Sequence, residues 1–181
     1  MDALGMNEVM SIPTGFLVCD TMLKAADVTL VSTGCVCAGK HYTVVSGEVA
    51  AVRAAAEAGR EAAGGALVDS LVIANVEKSV APAIMACTEA EDLRAVGIME
   101  TYSLCAAIYA ADAAAKAADI RLLEVRLGRG LGGKSFVLLT GDVAAVTAAV
   151  DAAEALEETQ GLMGKSVVIP APHPDLLRSL Q

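Results

Sequence analysis

Two short stretches of this chain carry residues that could do chemistry. The first is Cys35-Val36-Cys37, the one close pair among cysteines at positions 19, 35, 37, 87 and 105. Structural zinc takes four ligands, and two thiols separated by one residue cannot close a tetrahedron. A single chain therefore supplies too little for a metal centre here. The second stretch is Gly128-Arg129-Gly130-Leu131-Gly132-Gly133-Lys134-Ser135, which fits the phosphate-loop pattern G-x-x-x-x-G-K-S and contains G-x-G-x-x-G. That pattern works only where a helix begins at the Lys-Ser, because N–H groups at a helix N-terminus cradle the phosphates. Phe136-Val137-Leu138-Leu139-Thr140-Gly141 reads instead as a short buried strand ended by a turn. Nucleotide binding through residues 128–135 is the alternative from another functional class, and this context argues against it.

The elements that must position these residues come in two sets. Leu4 to Met10 reads as an edge or half-buried strand, and Thr14 to Ala26 as a helix with Phe16, Cys19 and Leu23 at helical spacing. Val28 to Ser32 is a strand signal, Thr33 to Gly39 a turn of small residues, and His41 to Val45 a second β-rich run. Glu48 to Ala63 is an Ala-rich helix stopped by Gly64-Gly65, and Ser70 to Ala74 a final strand before a short polar tail. His41 is expected to be a partly exposed strand residue. Cys19 and Cys105 read as core thiols among Ala and Leu.

The same order then recurs. Lys24-Ala25-Ala26-Asp27-Val28 returns as Lys116-Ala117-Ala118-Asp119-Ile120, a shift of 92 positions. Gly47-Glu48-Val49 returns as Gly141-Asp142-Val143 at 94, and Ser70-Leu71-Val72-Ile73 as Ser166-Val167-Val168-Ile169 at 96. A shift growing in small steps marks short loop insertions between matching units. The Gly-rich motif has no counterpart in the first unit, where Cys35-Val36-Cys37-Ala38-Gly39-Lys40 keeps the turn and loses the pattern. We read two tandem domains, 1–90 and 91–181, with an acidic linker at Glu89, Glu91 and Asp92. Each has the order strand-helix-strand-strand-helix-strand, an α/β (α+β layer) fold with helices on one face of a small sheet.

Composition narrows the partners. The chain is 55% hydrophobic but only 3% aromatic, so its apolar surface is mostly Ala and Val and suits close packing. No run approaches the ~20 apolar residues of a membrane span, and no export signal is expected from the N-terminal residues. The excess apolar content is expected to cover subunit interfaces. A net charge of −9 argues against nucleic acid. An odd number of cysteines without framework spacing reads as reduced thiols in a cytosol.

One further pattern has a family likeness. The Gly-rich turn, an apolar strand, Gly141-Asp142-Val143-Ala144-Ala145-Val146 opening a helix, and Val167-Val168-Ile169-Pro170-Ala171-Pro172-His173 together resemble the bacterial microcompartment shell domain. Ala110-Ala111-Asp112 through Ile120, Leu67 to Asn75 and Ala95 to Thr101 match it as well. The resemblance covers nearly the whole chain and is nearest to the tandem-domain, iron–sulfur shell proteins of propanediol-utilisation microcompartments. It implies a homotrimer whose six domains, each with a small mainly antiparallel sheet, form a pseudo-hexameric tile. Tiles would pack against other shell proteins in the microcompartment shell, within the cytoplasm, and an encapsulated redox enzyme is a further implied partner. Cys35, Val36, Cys37, Ala38 and Gly39 would line the central pore with Gly130, Leu131, Gly132 and Gly133. Three Cys37 thiolates around the axis would hold one [4Fe–4S] cluster per trimer, for electron transfer or cluster passage. The alternative within the family is a metal-free pore for small metabolites, with Arg126, Arg129 and Lys134 favouring anions. Lys24 and Lys116 occupy the family's tile-edge positions. Ala171 and Asn75 depart from it, standing where an Arg between two prolines is common. No catalytic residue is implied.

Overall fold

The computed structural model describes residues 2–86, 88 and 94–178. The acidic linker at 89–92 and Cys87 lie outside them. In the first repeat, β1 (Ala3–Val9) leads into α1 (Ile12–Ala25), β2 (Val28–Val36), β3 (Lys40–Gly47), α2 (Val49–Ala63) and β4 (Leu67–Ala74). The sheet is antiparallel throughout, in the order β2-β3-β1-β4. In the second repeat β5 (Ala95–Thr101), α4 (Leu104–Ala117), β6 (Ile120–Arg126), β7 (Ser135–Gly141), α5 (Val143–Ala155) and β8 (Met163–Pro170) repeat it as β6-β7-β5-β8. Two short helices follow the repeats, α3 (Val80–Ile84) and α6 (Pro174–Arg178). Among the described residues no helix is long and apolar enough to cross a membrane.

Local chemistry explains the boundaries. Ser11 caps α1 by accepting the Thr14 N–H, with Pro13 in the first turn where a missing N–H costs nothing. Ser103 repeats that cap on α4 through the Ala106 N–H. The Glu48 carboxylate accepts the N–H groups of Ala50 and Ala51 at the start of α2. Gly64, with φ 50, ends the same helix in a conformation that glycine adopts freely.

Helices cover one face of each sheet. Val9 and Val45 meet Val18, Met22 and Ala55 in the first core, and glycines let the helices come close. An added Cβ at Gly5 would lie 2.7 Å from a Val52 methyl, and at Gly97 2.9 Å from a Val146 methyl. At Gly59 it would collide with Asn7, whose Nδ2 donates to the Ala56 carbonyl at 3.0 Å.

Four sequence expectations change. Strand β1, read as an edge or half-buried strand, is central in its sheet and buried along its whole length, because β3 and β4 pair on its two sides. Phe16 and Leu23 on α1 point outward and Cys19 is half-buried, while Gly15, Val18 and Met22 face the core. Helix α1 carries two apolar stripes, and periodicity does not say which one meets its own sheet. Strand β2 runs on to Val36, so the turn shrinks to residues 37–39, because Thr33 and Gly34 pair with Thr43 and Tyr42. His41 is buried against Gly15, not partly exposed.

Candidate functional site

The two turns singled out in the sequence come together. Residues 2–76 and 128–133 form one compact unit, and 77–127 with the rest of the second repeat the other. The Gly-rich turn thus belongs with the β2–β3 turn that carries Cys37. The Cys37 N–H donates to the Gly128 carbonyl at 3.2 Å. Gly128, Gly130, Gly132 and Gly133 all have positive φ, a backbone that side chains rarely adopt. That conformation turns backbone N–H groups inward as a nest for negative charge. The donors are Gly130, Gly132 and Leu131, and they hold the Cys37 thiol below its ordinary range, against a smaller opposing effect of burial.

Around this centre, Cys35 is exposed, Val36 buried, and Ala38 and Gly39 lie on the surface with Gly130 and Gly132. The Arg129 side chain runs across Gly34, where a Cβ would lie 2.7 Å from its guanidinium. Proximity of the Gly-rich backbone to the Cys37 sulfur was not foreseen from sequence. The run of glycines in that turn was the available signal.

The phosphate-loop pattern is not built as one. Lys134 is followed by β7, not by a helix, and its Nζ is committed to the Glu100 carboxylate at 3.1 Å, over the Tyr102 ring. Arg126 is likewise paired, with Glu124 at 2.6 Å, and stacks over Phe136. Two of the three cations proposed for an anion-selective turn are therefore neutralised locally.

Metal binding must be judged across chains. Among the described residues no group of three or more His, Cys, Asp or Glu side chains could hold a metal ion. Cys37 is one thiol with hydrogen-bond donors around it, the environment that favours a thiolate ligand. Of the remaining thiols, Cys105 is buried and Cys19 half-buried on their helices. Lys24 and Lys116 end α1 and α4, and each pairs with an aspartate one turn earlier, Asp20 at 2.7 Å and Asp112 at 2.6 Å.

Comparison with known proteins gives these features a context. The BMC domain family model matches twice, at residues 3–76 and 95–172. The bacterial microcompartment shell protein PduT of Citrobacter freundii is 40% identical over 178 residues, which is 98% of this chain and 97% of that protein. The shell protein EutM of Salmonella typhimurium is 42% identical over 85 residues, 46% of this chain and 85% of the relative, as befits a protein half the size. A crystal structure of a microcompartment protein from Desulfitobacterium hafniense superposes with a TM-score of 0.93 at 44% identity, covering 98% of this chain and 99% of that one. This chain is a structural shell protein of the bacterial microcompartment family, with one BMC domain in each repeat.

Proposed function

We propose that the chain forms a homotrimeric, non-catalytic tile whose central pore holds a [4Fe–4S] cluster on three Cys37 thiolates. The observation that carries this reading is the set of backbone N–H groups from Gly130, Gly132 and Leu131 around the Cys37 sulfur. Such donors stabilise a thiolate and are a means by which proteins tune iron–sulfur centres. Leu131 stands in the corresponding turn of the second repeat, so only one thiol per chain meets the axis. Three thiolates hold three irons, which leaves the fourth iron to a ligand from outside this set. Bound there, the cluster would supply one-electron transfer, or be passed, across the shell.

The protein's own part is to present the sulfur on a short turn and to screen its charge with fixed dipoles. After anaerobic reconstitution with iron and sulfide, Cys37→Ser is expected to abolish the cluster's visible absorbance and paramagnetic signal. Its mass by light scattering should stay that of a trimer. Cys35→Ser should weaken the cluster at most, and Cys105→Ser should leave it unchanged. Normal iron and sulfide content in Cys37→Ser would remove the proposal.

The tile edge is a separate part of the reading. Lys24 and Lys116 sit at matching helix ends, with side chains 74% and 43% exposed. Combined Lys24→Ala and Lys116→Ala should leave the trimer intact and reduce its assembly into sheets, as seen by electron microscopy. Sheets forming at the unmodified protein concentration would place the edge elsewhere.

A further inference from the structure

The two repeats differ in what covers them, and the difference points to how one chain grips the next. Beyond Val76 the chain enters the second compact unit, where α3 packs on β6 and α4. The Glu77 N–H donates to Asp112 Oδ1 on α4 at 2.7 Å. Val80, Ala81 and Ala83 of α3 are buried, and so are Ile108 on α4 and Leu122 and Val125 on β6. One segment and one receiving surface thus fit each other.

Both halves of that contact occur a second time, one in each compact unit, and there each is more exposed. Phe16, Asp20 and Leu30 take the positions of Ile108, Asp112 and Leu122. Phe16 is 62% exposed and Leu30 40%, where Ile108 and Leu122 are fully buried. The Asp20 side chain is 58% exposed, against 10% for Asp112. After β8 the segment itself recurs. Ala171 (φ 48) repeats the unusual backbone of Asn75 (φ 59), and buried Pro172 repeats buried Val76. His173 then stands where Glu77 stands, and Leu176 of α6 where Val80 of α3 stands. Leu176 is 38% exposed, while Val80 is fully buried.

We propose that the segment His173–Leu176 of each chain docks on α1 and β2 of the next, as Glu77–Val80 docks on α4 and β6 within a chain. The His173 N–H would donate to the neighbouring subunit's Asp20, and Leu176 would bury between that subunit's Phe16 and Leu30. A surface that receives and a different surface that inserts make a head-to-tail contact, which closes into a ring when the rotation permits. This inference rests on the trimer reading and adds to it which segment crosses between subunits. The repeat provides its own template, because the equivalent contact is already made once in every chain.

The test is an engineered disulfide. A backbone N–H that reaches the facing carboxylate puts the two residues near the ~7 Å Cα limit for bridging. Mild oxidation of Asp20→Cys/His173→Cys should give a ladder of covalent dimer and trimer on non-reducing gels. Mass spectrometry should find the two introduced thiols joined, and neither single variant should give the ladder. Leu176→Asp should raise the protomer concentration at which the trimer dissociates by at least about tenfold, since each ~1.4 kcal/mol lost at a contact is tenfold in its equilibrium constant. A bridge formed within one chain would overturn the proposal. So would an unbridged double variant whose scattering mass is that of a trimer, a result that leaves the trimer itself standing. A monomeric mass for the unmodified chain would instead sink the trimer reading and this docking with it.

Discussion

The two repeats share a backbone plan and differ in how they balance charge and volume across it. In the first, Glu8 on β1 is fully buried and pairs with a mostly buried Lys40 at the start of β3. In the second, Glu100 and Lys134 make the same pair at 3.1 Å with side chains 39% and 43% exposed. A second coupled position lies between helix and sheet. Where β3 carries His41, the facing helix carries Gly15; where β7 carries Ser135, the helix carries Ala107. A large strand residue against no side chain is exchanged for a small one against a methyl. Duplicated domains can diverge at such sites only in pairs, because a packed interface tolerates a volume change only when its neighbour compensates.

The salt bridge should separate the repeats most. Lys40→Met leaves a buried carboxylate without its cation, which costs about 3–5 kcal/mol. Lys134→Met breaks a partly solvated pair and should cost less than about 1 kcal/mol. Urea midpoints at one fixed protomer concentration would check this, since the stability of the proposed trimer would depend on concentration. Similar losses for both variants would mean that Glu8 is better solvated than its burial indicates. The double variant Glu8→Gln/Lys40→Met should recover part of the loss, because it removes the stranded charge.

Much of this plan is legible in the sequence. The repeat, the element order and the glycine stop after α2 follow from apolar period and turn residues, and they stand in the structure. The faces were less legible. Phe16, Cys19 and Leu23 mark a helix by spacing, and Cys19 read as a core thiol, yet the sheet takes Gly15, Val18 and Met22. Apolarity alone does not distinguish a stripe meant for the home sheet from one left outside. Residues after Ala74 read as a polar tail, but α3 buries Val80, Ala81 and Ala83. Its length, five residues, is too short for a helical period to register. At the site, Cys37 is visible as a turn thiol, but its donors come from a turn some 90 residues later, a contact that local patterning does not encode.

The helix–strand exchange gives the next largest effect. Gly15→Ala would drive a Cβ into the His41 side chain. Overpacking of this kind costs about 1–3 kcal/mol. Gly15→Ala/His41→Ser copies the second repeat and should regain most of that loss, whereas independent sites would simply add. A double variant no more stable than Gly15→Ala alone would show that the two repeats solve this contact differently.

The smallest effect is the pH response of His41, and only the first repeat should show it. Burial lowers its imidazole below the ordinary value of 6.5, because the charged form would lose its water. Its Nδ1 has no hydrogen-bond partner among the described residues, so no acceptor at that atom rewards protonation. On unfolding, the imidazole returns to ordinary behaviour. Between its lowered folded value and about 6.5 the unfolded chain therefore binds more protons than the folded one, and stability rises with pH across that window. The contribution is complete above pH 6.5, declines as the pH falls below it, and levels off once the folded imidazole also protonates. Carboxylates elsewhere add their own slopes at lower pH, so the informative quantity is a difference between variants. The urea midpoint of the unmodified chain should fall between pH 7 and 5.5 by more than that of Gly15→Ala/His41→Ser, in which the site has become that of the second repeat. Parallel pH profiles for the two proteins would mean that the His41 ring can take up a proton without leaving its place against α1.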